Sequence, residues 1–317
     1  LVQRLLGALP ILLAVTFATF ALIRVIPGGP FDTVNGKPLP PEIRDQFLER
    51  YGLDQPIPQQ FIVYLSGVLG GDFGVSLGQT LGEPVSEIIG ARLPISARLG
   101  LFALIFGYAV GIPLGIMAAT GRKTWRDGVI TAITSIGASI PSIVLAPLLV
   151  WLFVRVWGWP GPDPRVWVSP DFLSSQFWSR AIPPILALGI GIAAGVARLV
   201  RASLLTTLAE DYLRTARAKG LRERGVIGVH ALRNALLPLA TVTAPLLAAV
   251  LTGTFFIEAV FGVPGLGDTF LTSIADRDYN LLTGVTVLYA TLLIMGNVGV
   301  DIVYAWLDPR IQYGDSY

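Results

Sequence analysis

The sequence predicts an all-α polytopic membrane protein, with six transmembrane helices and one short cytoplasmic helix between the fourth and fifth spans. Three observations carry this. The 317 residues are 53% hydrophobic and only 14% charged, with a mean hydropathy of +0.67, whereas a soluble domain carries about 25% charged residues. Six stretches reach the length of about 20 apolar residues needed to cross a hydrocarbon core about 30 Å thick. Lys and Arg then crowd the short connections on one side, which places both termini in the cytoplasm.

The spans are residues 5–25, 99–119, 129–154, 181–197, 235–257 and 281–300. The first carries Arg24 near its end, where a long side chain can reach the interface. It has no small-residue cleavage site and is read as a retained helix. The chain starts at Leu1, so a few native residues are expected ahead of it. The fourth span is short unless Arg198 and Arg201 extend it, and the other four carry no charge. Pro10, Pro113, Pro141, Pro147, Pro183, Pro184, Pro238 and Pro245 lie within spans, beside Gly107-x-x-x-Gly111-x-x-x-Gly115 and Gly189-x-Gly191-x-x-x-Gly195. Two readings fit these residues: close helix packing, or kinked helices lining a path that changes shape.

The connection 27–97 is long enough to be functional. Residues 41–51 suit a surface helix with apolar Ile43, Phe47 and Leu48. A second short helix is read over 61–69, closed by Gly70-Gly-Asp-Phe-Gly74, and a third amphipathic piece over 84–93. Such a loop serves equally well to receive a soluble partner or to shield the spans. Trp157, Trp159 and Trp167 are expected in an interfacial aromatic belt. Glycines and a proline in Glu258-Ala-Val-Phe-Gly-Val-Pro-Gly-Leu-Gly267 permit a re-entrant or interfacial turn, with Glu258, Phe261, Pro264 and Gly265 as outer-gate candidates.

The inner segment 198–234 holds Asp211-Tyr-Leu-Arg-Thr-Ala-Arg-Ala-Lys-Gly220. Asp211 can cap a helix there and Gly220 can stop it, which gives a peg about 15 Å long. Tyr212, Leu213, Ala216 and Gly220 fall along one side; Arg214, Arg217 and Lys219 cover the rest. The peg suits docking of a soluble partner, and also attraction to anionic lipid. Nucleic acid fits poorly, because the patch is small and has no interleaved aromatics.

Several chemistries are disfavoured. There are no cysteines, so there are no disulfides or thiolate metal sites. The single histidine, His230, lies in the inner segment beside Arg233. Neither a phosphate-cradling Gly-x-x-x-x-Gly-Lys-Ser/Thr loop nor His-Glu-x-x-His occurs. Central acidic residues, which mark proton and sodium pathways, are nearly absent from the spans; Asp301 is the main exception and can pair with an inner arginine. Energy for any transport is expected from a partner.

Motifs along the whole chain resemble the permease subunit of bacterial oligopeptide/dipeptide ABC importers, the binding-protein-dependent transport inner-membrane component family. They include Ile26-Pro-Gly-Gly-Pro-Phe31, Tyr51-Gly-Leu-Asp-Gln-Pro56, Gly71-Asp-Phe-Gly-Val-Ser76, Ser139-Ile-Pro-Ser142 and Arg198-x-x-Arg-Ala-Ser203. Tyr212-Leu-Arg-Thr-Ala-Arg-Ala-Lys-Gly-Leu221, His230-Ala-Leu-Arg-Asn-Ala-Leu-Leu-Pro238, Glu258-x-x-Phe-Gly-Val-Pro-Gly-Leu-Gly267, Arg277-Asp-Tyr279 and Leu307-Asp-Pro-Arg-Ile311 complete them.

The resemblance implies the type I ABC importer permease fold in the bacterial inner membrane. Residues 1–96 would form the first helix and outer loop, 97–308 a five-helix core, and 309–317 a cytoplasmic tail. Asp211, Tyr212, Leu213, Arg214, Thr215, Ala216, Arg217, Ala218, Lys219 and Gly220 would form the coupling helix that docks in an ATPase cleft. Arg214-Thr215-Ala216 stands where the general pattern has Glu-Ala-Ala, and Leu237-Pro238 comes later than usual. Implied partners are a second homologous permease subunit, two ATPase subunits carrying ATP and Mg, and an extracytoplasmic substrate-binding protein. No cofactor is expected in this chain. Short peptides are the implied cargo, and Pro30-Phe31 with Leu39-Pro-Pro-Glu42 lean toward oligopeptides. Dipeptides, glutathione, nickel and cell-wall peptides remain open within the architecture. A standalone channel or secondary carrier is the reading of a different class.

Overall fold

The computed structural model describes residues 2–25, 29, 40–50, 52–78, 80–252 and 254–307. Most of the 26–31 motif, Leu39, Tyr51 and the tail 309–317 lie outside the described residues, as do the side chains of Phe47 and Asp301. Among the described residues, regular structure is helical apart from a single bridge between Val75 and Pro84.

The chain opens with the apolar helix α1 (Val2–Val25), followed by α2 (Pro41–Arg50) and α3 (Ile57–Leu69). Helix α3 starts four residues before the stretch predicted from sequence, because Pro56 and Pro58 suit a first turn that needs no donor. Helix α4 (Val85–Thr120) absorbs the amphipathic piece expected as a separate element over 84–93. Its 36 residues reach about 54 Å, well beyond one hydrocarbon thickness.

The third predicted span is two helices. α5 (Trp125–Ser139) and α6 (Ser142–Val150) meet at 96°. Pro141 supplies no amide donor and forces Ile140 into an extended conformation (φ −84°, ψ 114°), so the helix must stop there. A wide π turn (Trp151–Val156) and α7 (Arg165–Val168) lead to α8 (Ser175–Thr207), which runs past both ends of the predicted fourth span. The inner helix α9 (Asp211–Ala218) follows. Then α10 (Glu223–Gly225), a second π turn (Val226–Ala231), α11 (Leu232–Ala235) and α12 (Leu237–Thr252) carry the fifth span. That span ends before Ile257, which belongs instead to α13 (Phe255–Phe261). α13 and α14 (Leu266–Ala275) form a second bent pair at 88°, and α15 (Tyr279–Leu307) is the last helix. Among the described residues, five helices are long and apolar enough to cross a membrane, and up to seven spans result if each bent pair counts as one. The six predicted stretches all fall on helices, and the additional bent pair is the turn read as re-entrant.

The described residues pack as two compact units, one drawn from Leu1–Ala97 and Leu251–Val298, the other from Arg98–Val250 and Gly299–Tyr317. In the first, Val85, Ile88, Leu266, Leu281, Val285 and Tyr289 form a buried cluster. In the second, Val196 and Val200 of α8 bury against Leu239 of α12. Trp167 is not a belt residue: it is 1% exposed and packs edge-on against Phe177, 5.5 Å between ring centres. Trp157 is solvent-facing, as a belt residue would be, and leans on Phe153.

The glycine stripe of α4 is a close-packing device. A Cβ at Gly111 would lie 2.6 Å from the Ala193 carbonyl oxygen, and one at Gly115 2.6 Å from that of Ala197. Both carbonyls are backbone of α8 and cannot swing aside. Gly189 is likewise filled by Phe106, whereas Gly191 and Gly195 face open space. Gly111→Val is therefore expected to cost about 3 kcal/mol by overpacking. Gly195→Ala should leave the thermal midpoint in detergent unchanged or raised, since alanine suits a helix interior better.

Candidate docking helix and re-entrant turn

Helix α9 is built to be held from below and bare above. Leu213 is fully buried among Ala119, Leu204, Val226, Ala231 and Ala235, with Ala216 packed beside it. Asp211, Tyr212, Arg214, Thr215, Arg217, Ala218, Lys219 and Gly220 are exposed. The N-cap is Glu210, whose side chain makes no capping bond. Asp211 is the first helical residue, so the cap falls one place earlier than the sequence suggests, and the Asp211 carboxylate accepts from Arg214 Nη1 at 3.2 Å. The helix is eight residues, or about 12 Å. It ends because Gly220 takes a left-handed φ of 78°, which lets its amide reach the Arg217 carbonyl at 2.9 Å.

Two side-chain ties join α9 to the next segment. The Tyr212 hydroxyl donates to the His230 carbonyl (3.3 Å) and accepts from Asn234 Nδ2 (2.9 Å). Arg217 donates from Nε and Nη2 to the two oxygens of Glu223, at 3.1 and 3.0 Å. That fork raises the Arg217 pKa above its ordinary value, which keeps the guanidinium charged. The His230–Asn234 motif thus serves the Tyr212–Gly220 motif: His230 contributes its backbone oxygen, and Asn234 its amide. Sequence spacing gave no hint of this, because the partners are 18 and 22 residues apart.

A second tie in the same unit was also missed. Asp127 in the first turn of α5 accepts from Arg201 Nε at 2.7 Å and Nη2 at 2.9 Å, and so fixes the start of α5 to α8. The sequence places Arg201 at the end of the fourth span and in the Arg198-x-x-Arg-Ala-Ser203 motif, without its carboxylate partner.

The four outer-gate candidates come together at the α13–α14 bend. Glu258 is fully buried. Its carboxylate accepts from the Thr254 hydroxyl (2.6 Å), the Gly267 amide (2.7 Å) and the Asp268 amide (3.1 Å), and Ser96 adds a further hydrogen bond. Ser96 Oγ in turn accepts from the Leu266 amide at 2.8 Å. The first three amides of α14, which have no partner within their own helix, are thereby satisfied by side-chain oxygens. Gly262 closes α13 in the left-handed region (φ 58°). A Cβ on Gly265 would fall 2.7 Å from the Glu258 carboxyl carbon, so only glycine fits. Phe261 is buried, and the Pro264 carbonyl accepts from Arg92 Nη1 at 3.1 Å. Ser96, Thr254 and Arg92 are the partners that sequence reasoning did not supply.

Two further motifs explain each other. The Asp278 carboxylate accepts from the Ser76 hydroxyl, the Gly78 amide (3.1 Å) and the Leu281 amide (3.1 Å), while Asn280 Nδ2 donates to the Val75 carbonyl at 2.9 Å. Burial pushes the Asp278 carboxyl above its ordinary value, and these hydrogen bonds pull the other way. Among the described residues, no group of three His, Cys, Asp or Glu is placed to hold a metal ion.

This helical architecture defines a polytopic membrane protein. Residues 111–313 match the family described as binding-protein-dependent transport system inner membrane component, and residues 1–99 match its N-terminal companion; the chain belongs to this family. It is 36% identical over 316 residues to the oligopeptide transport system permease protein OppB of Haemophilus influenzae, covering 98% of each chain. It is 39% identical to the dipeptide transport system permease protein DppB of Bacillus subtilis, covering 95% of this chain and 94% of that one. Among solved structures, the inward-facing MetNI methionine ABC transporter matches with a TM-score of 0.56 at 20% identity, over 71% of this chain and 99% of that one. An amino acid ABC transporter with histidines matches at 0.53 and 14%, over 71% and 95%. These two likenesses show the shared fold. The chain is thus an inner-membrane component of a binding-protein-dependent transport system, and its curated relatives are transport system permease proteins.

Proposed function

We propose that the chain is the membrane-spanning subunit of an ATP-driven importer that passes short peptides, oligopeptides favoured, from an extracytoplasmic binding protein into the cytoplasm by alternating access. It works with a second homologous permease subunit and two ATPase subunits that hold ATP and Mg. Both termini lie in the cytoplasm, and α9 is the coupling helix. The observation that carries this reading is the build of α9: Leu213 roots it in a buried cluster while Arg214, Thr215, Arg217 and Lys219 stay exposed. Closure of the nucleotide-bound ATPase pair would move this rooted helix as a rigid body, and the spans would rock between inward- and outward-open states.

Peptide cargo rests on the relatives. The Bacillus subtilis dipeptide permease is as similar as the oligopeptide permeases, so dipeptides are the second reading, and ranking uptake by peptide length separates the two. The primary test purifies the complex into nanodiscs and measures ATP hydrolysis with and without peptide-loaded binding protein. Stimulation by the loaded protein is expected, and hydrolysis indifferent to peptide would end the assignment. Gly220→Pro supplies the site test. Proline holds φ near −65° and has no amide to give the Arg217 carbonyl. The variant should insert normally yet lose most uptake; undiminished ATP-driven uptake would remove α9 from the coupling role.

A further inference from the structure

We propose that the cavity at the C-terminal end of α1 binds the phosphate of a membrane phospholipid headgroup, with Arg24 and Tyr64 as its donors. The cavity measures about 440 Å³ and is lined by Arg24, Glu49, Gln60, Tyr64, Asp72 and Asn280, among others. The Arg24 guanidinium is held rigidly: its carbon lies 3.3 Å from the Phe20 ring centre and 4.9 Å from that of Tyr279. Nε donates to Gln60 Oε1 at 2.7 Å and Nη1 to the Phe20 carbonyl at 3.0 Å. No carboxylate pairs with it among the described residues. The buried Tyr64 hydroxyl beside it also has no hydrogen-bond partner among them. A half-buried cation and a buried hydroxyl, both left with donor capacity at one cavity, call for an anionic group with several oxygens.

Three features favour a lipid as the source of that group. Helix α3, which walls the cavity, is apolar but has no buried residue, and Ile62, Val63 and Leu69 are solvent-facing. A helix of that kind lies in a membrane interface. Thr19, Leu22 and Ile23 on the same end of α1 line a separate apolar crevice of about 470 Å³ with Phe270, Leu282 and Thr286, which suits an acyl chain. Glu49 and Asp72 on the polar cavity fit a headgroup that carries an ammonium beside its phosphate, so phosphatidylethanolamine is the expected ligand.

The test uses the purified transport complex, washed in detergent and examined by native mass spectrometry after addition of phosphatidylethanolamine. The wild type should retain the lipid. Arg24→Gln should weaken retention about tenfold, by loss of a charged donor. Tyr64→Phe should weaken it about fivefold; it removes a hydroxyl with no protein partner, so the fold is kept. Equal retention in all three proteins would overturn the site, as would equal retention of diacylglycerol, which has no phosphate. Displacement of the lipid by millimolar inorganic phosphate or by a tripeptide would overturn the lipid source and make the cavity an ion or peptide site.

Discussion

Replacement of Glu258 by alanine is expected to unfold the α13–α14 bend. The carboxylate is the acceptor for the Thr254 and Ser96 hydroxyls and for the Gly267 and Asp268 amides. Its removal leaves buried donors without partners, each costing about 1–3 kcal/mol. A total near ~4 kcal/mol is expected, since the two hydroxyls can turn to other acceptors and the two amides cannot. The readout is the thermal midpoint of the detergent-solubilised chain, together with proteolysis at the bend. Glu258→Gln discriminates further. Its amide retains one oxygen but presents an N–H₂ to groups that are themselves donors, so it should recover only part of the loss. A Glu258→Ala protein as stable as the wild type would show that the carboxylate does not hold the bend.

Leu213→Ala should separate ATP hydrolysis from uptake. Leu213 has no solvent exposure and fills the centre of the cluster beneath α9. Large-to-small truncation at such a site costs about 2–5 kcal/mol, here concentrated on a helix of eight residues. The expected result is a complex that assembles and hydrolyses ATP but moves much less peptide per ATP. Arg214→Ala is the counterpart. Arg214 meets only the exposed Asp211 carboxylate, so its loss should change stability by no more than ~0.5 kcal/mol. If uptake nevertheless falls in Arg214→Ala, the residue acts on a partner. Wild-type coupling in Leu213→Ala would mean that the cluster is not what transmits movement.

Helix content, the run of spans and the position of α9 were legible because hydropathy and capping residues act locally. Pro141 within an apolar run even marked the place where the third span bends. The merger of 84–93 into α4 was not legible: Pro94 directly follows the polar piece and reads as a helix stop, yet α4 continues through it. Trp167 was misjudged because residue type alone suggested an interface, whereas Phe177 buries it. The partnerships at the sites were the least accessible. Ser76 and Asp278 are 202 positions apart, and Asp127 and Arg201 are 74 apart. The motifs of Ser76, Asp278 and Arg201 stood out in the sequence and Asp127 did not, and what each one held was not visible. Of the outer-gate candidates, Glu258 and Gly265 were visible as a pattern, and their fit into one another needed coordinates.

The α4–α8 seam has a consequence for permeation. Where a Cβ would come within 2.6 Å of a facing carbonyl, there is no room for water between the helices, so the seam is closed over about one turn, from Gly111 to Gly115. The α-carbons of Gly191 and Gly195 are bordered instead by empty space. Helix α8 therefore has one edge in close contact with α4 and another where two glycines leave the main chain uncovered. At Gly111 and Gly115 it is contact distance, rather than charge, that opposes passage through the seam.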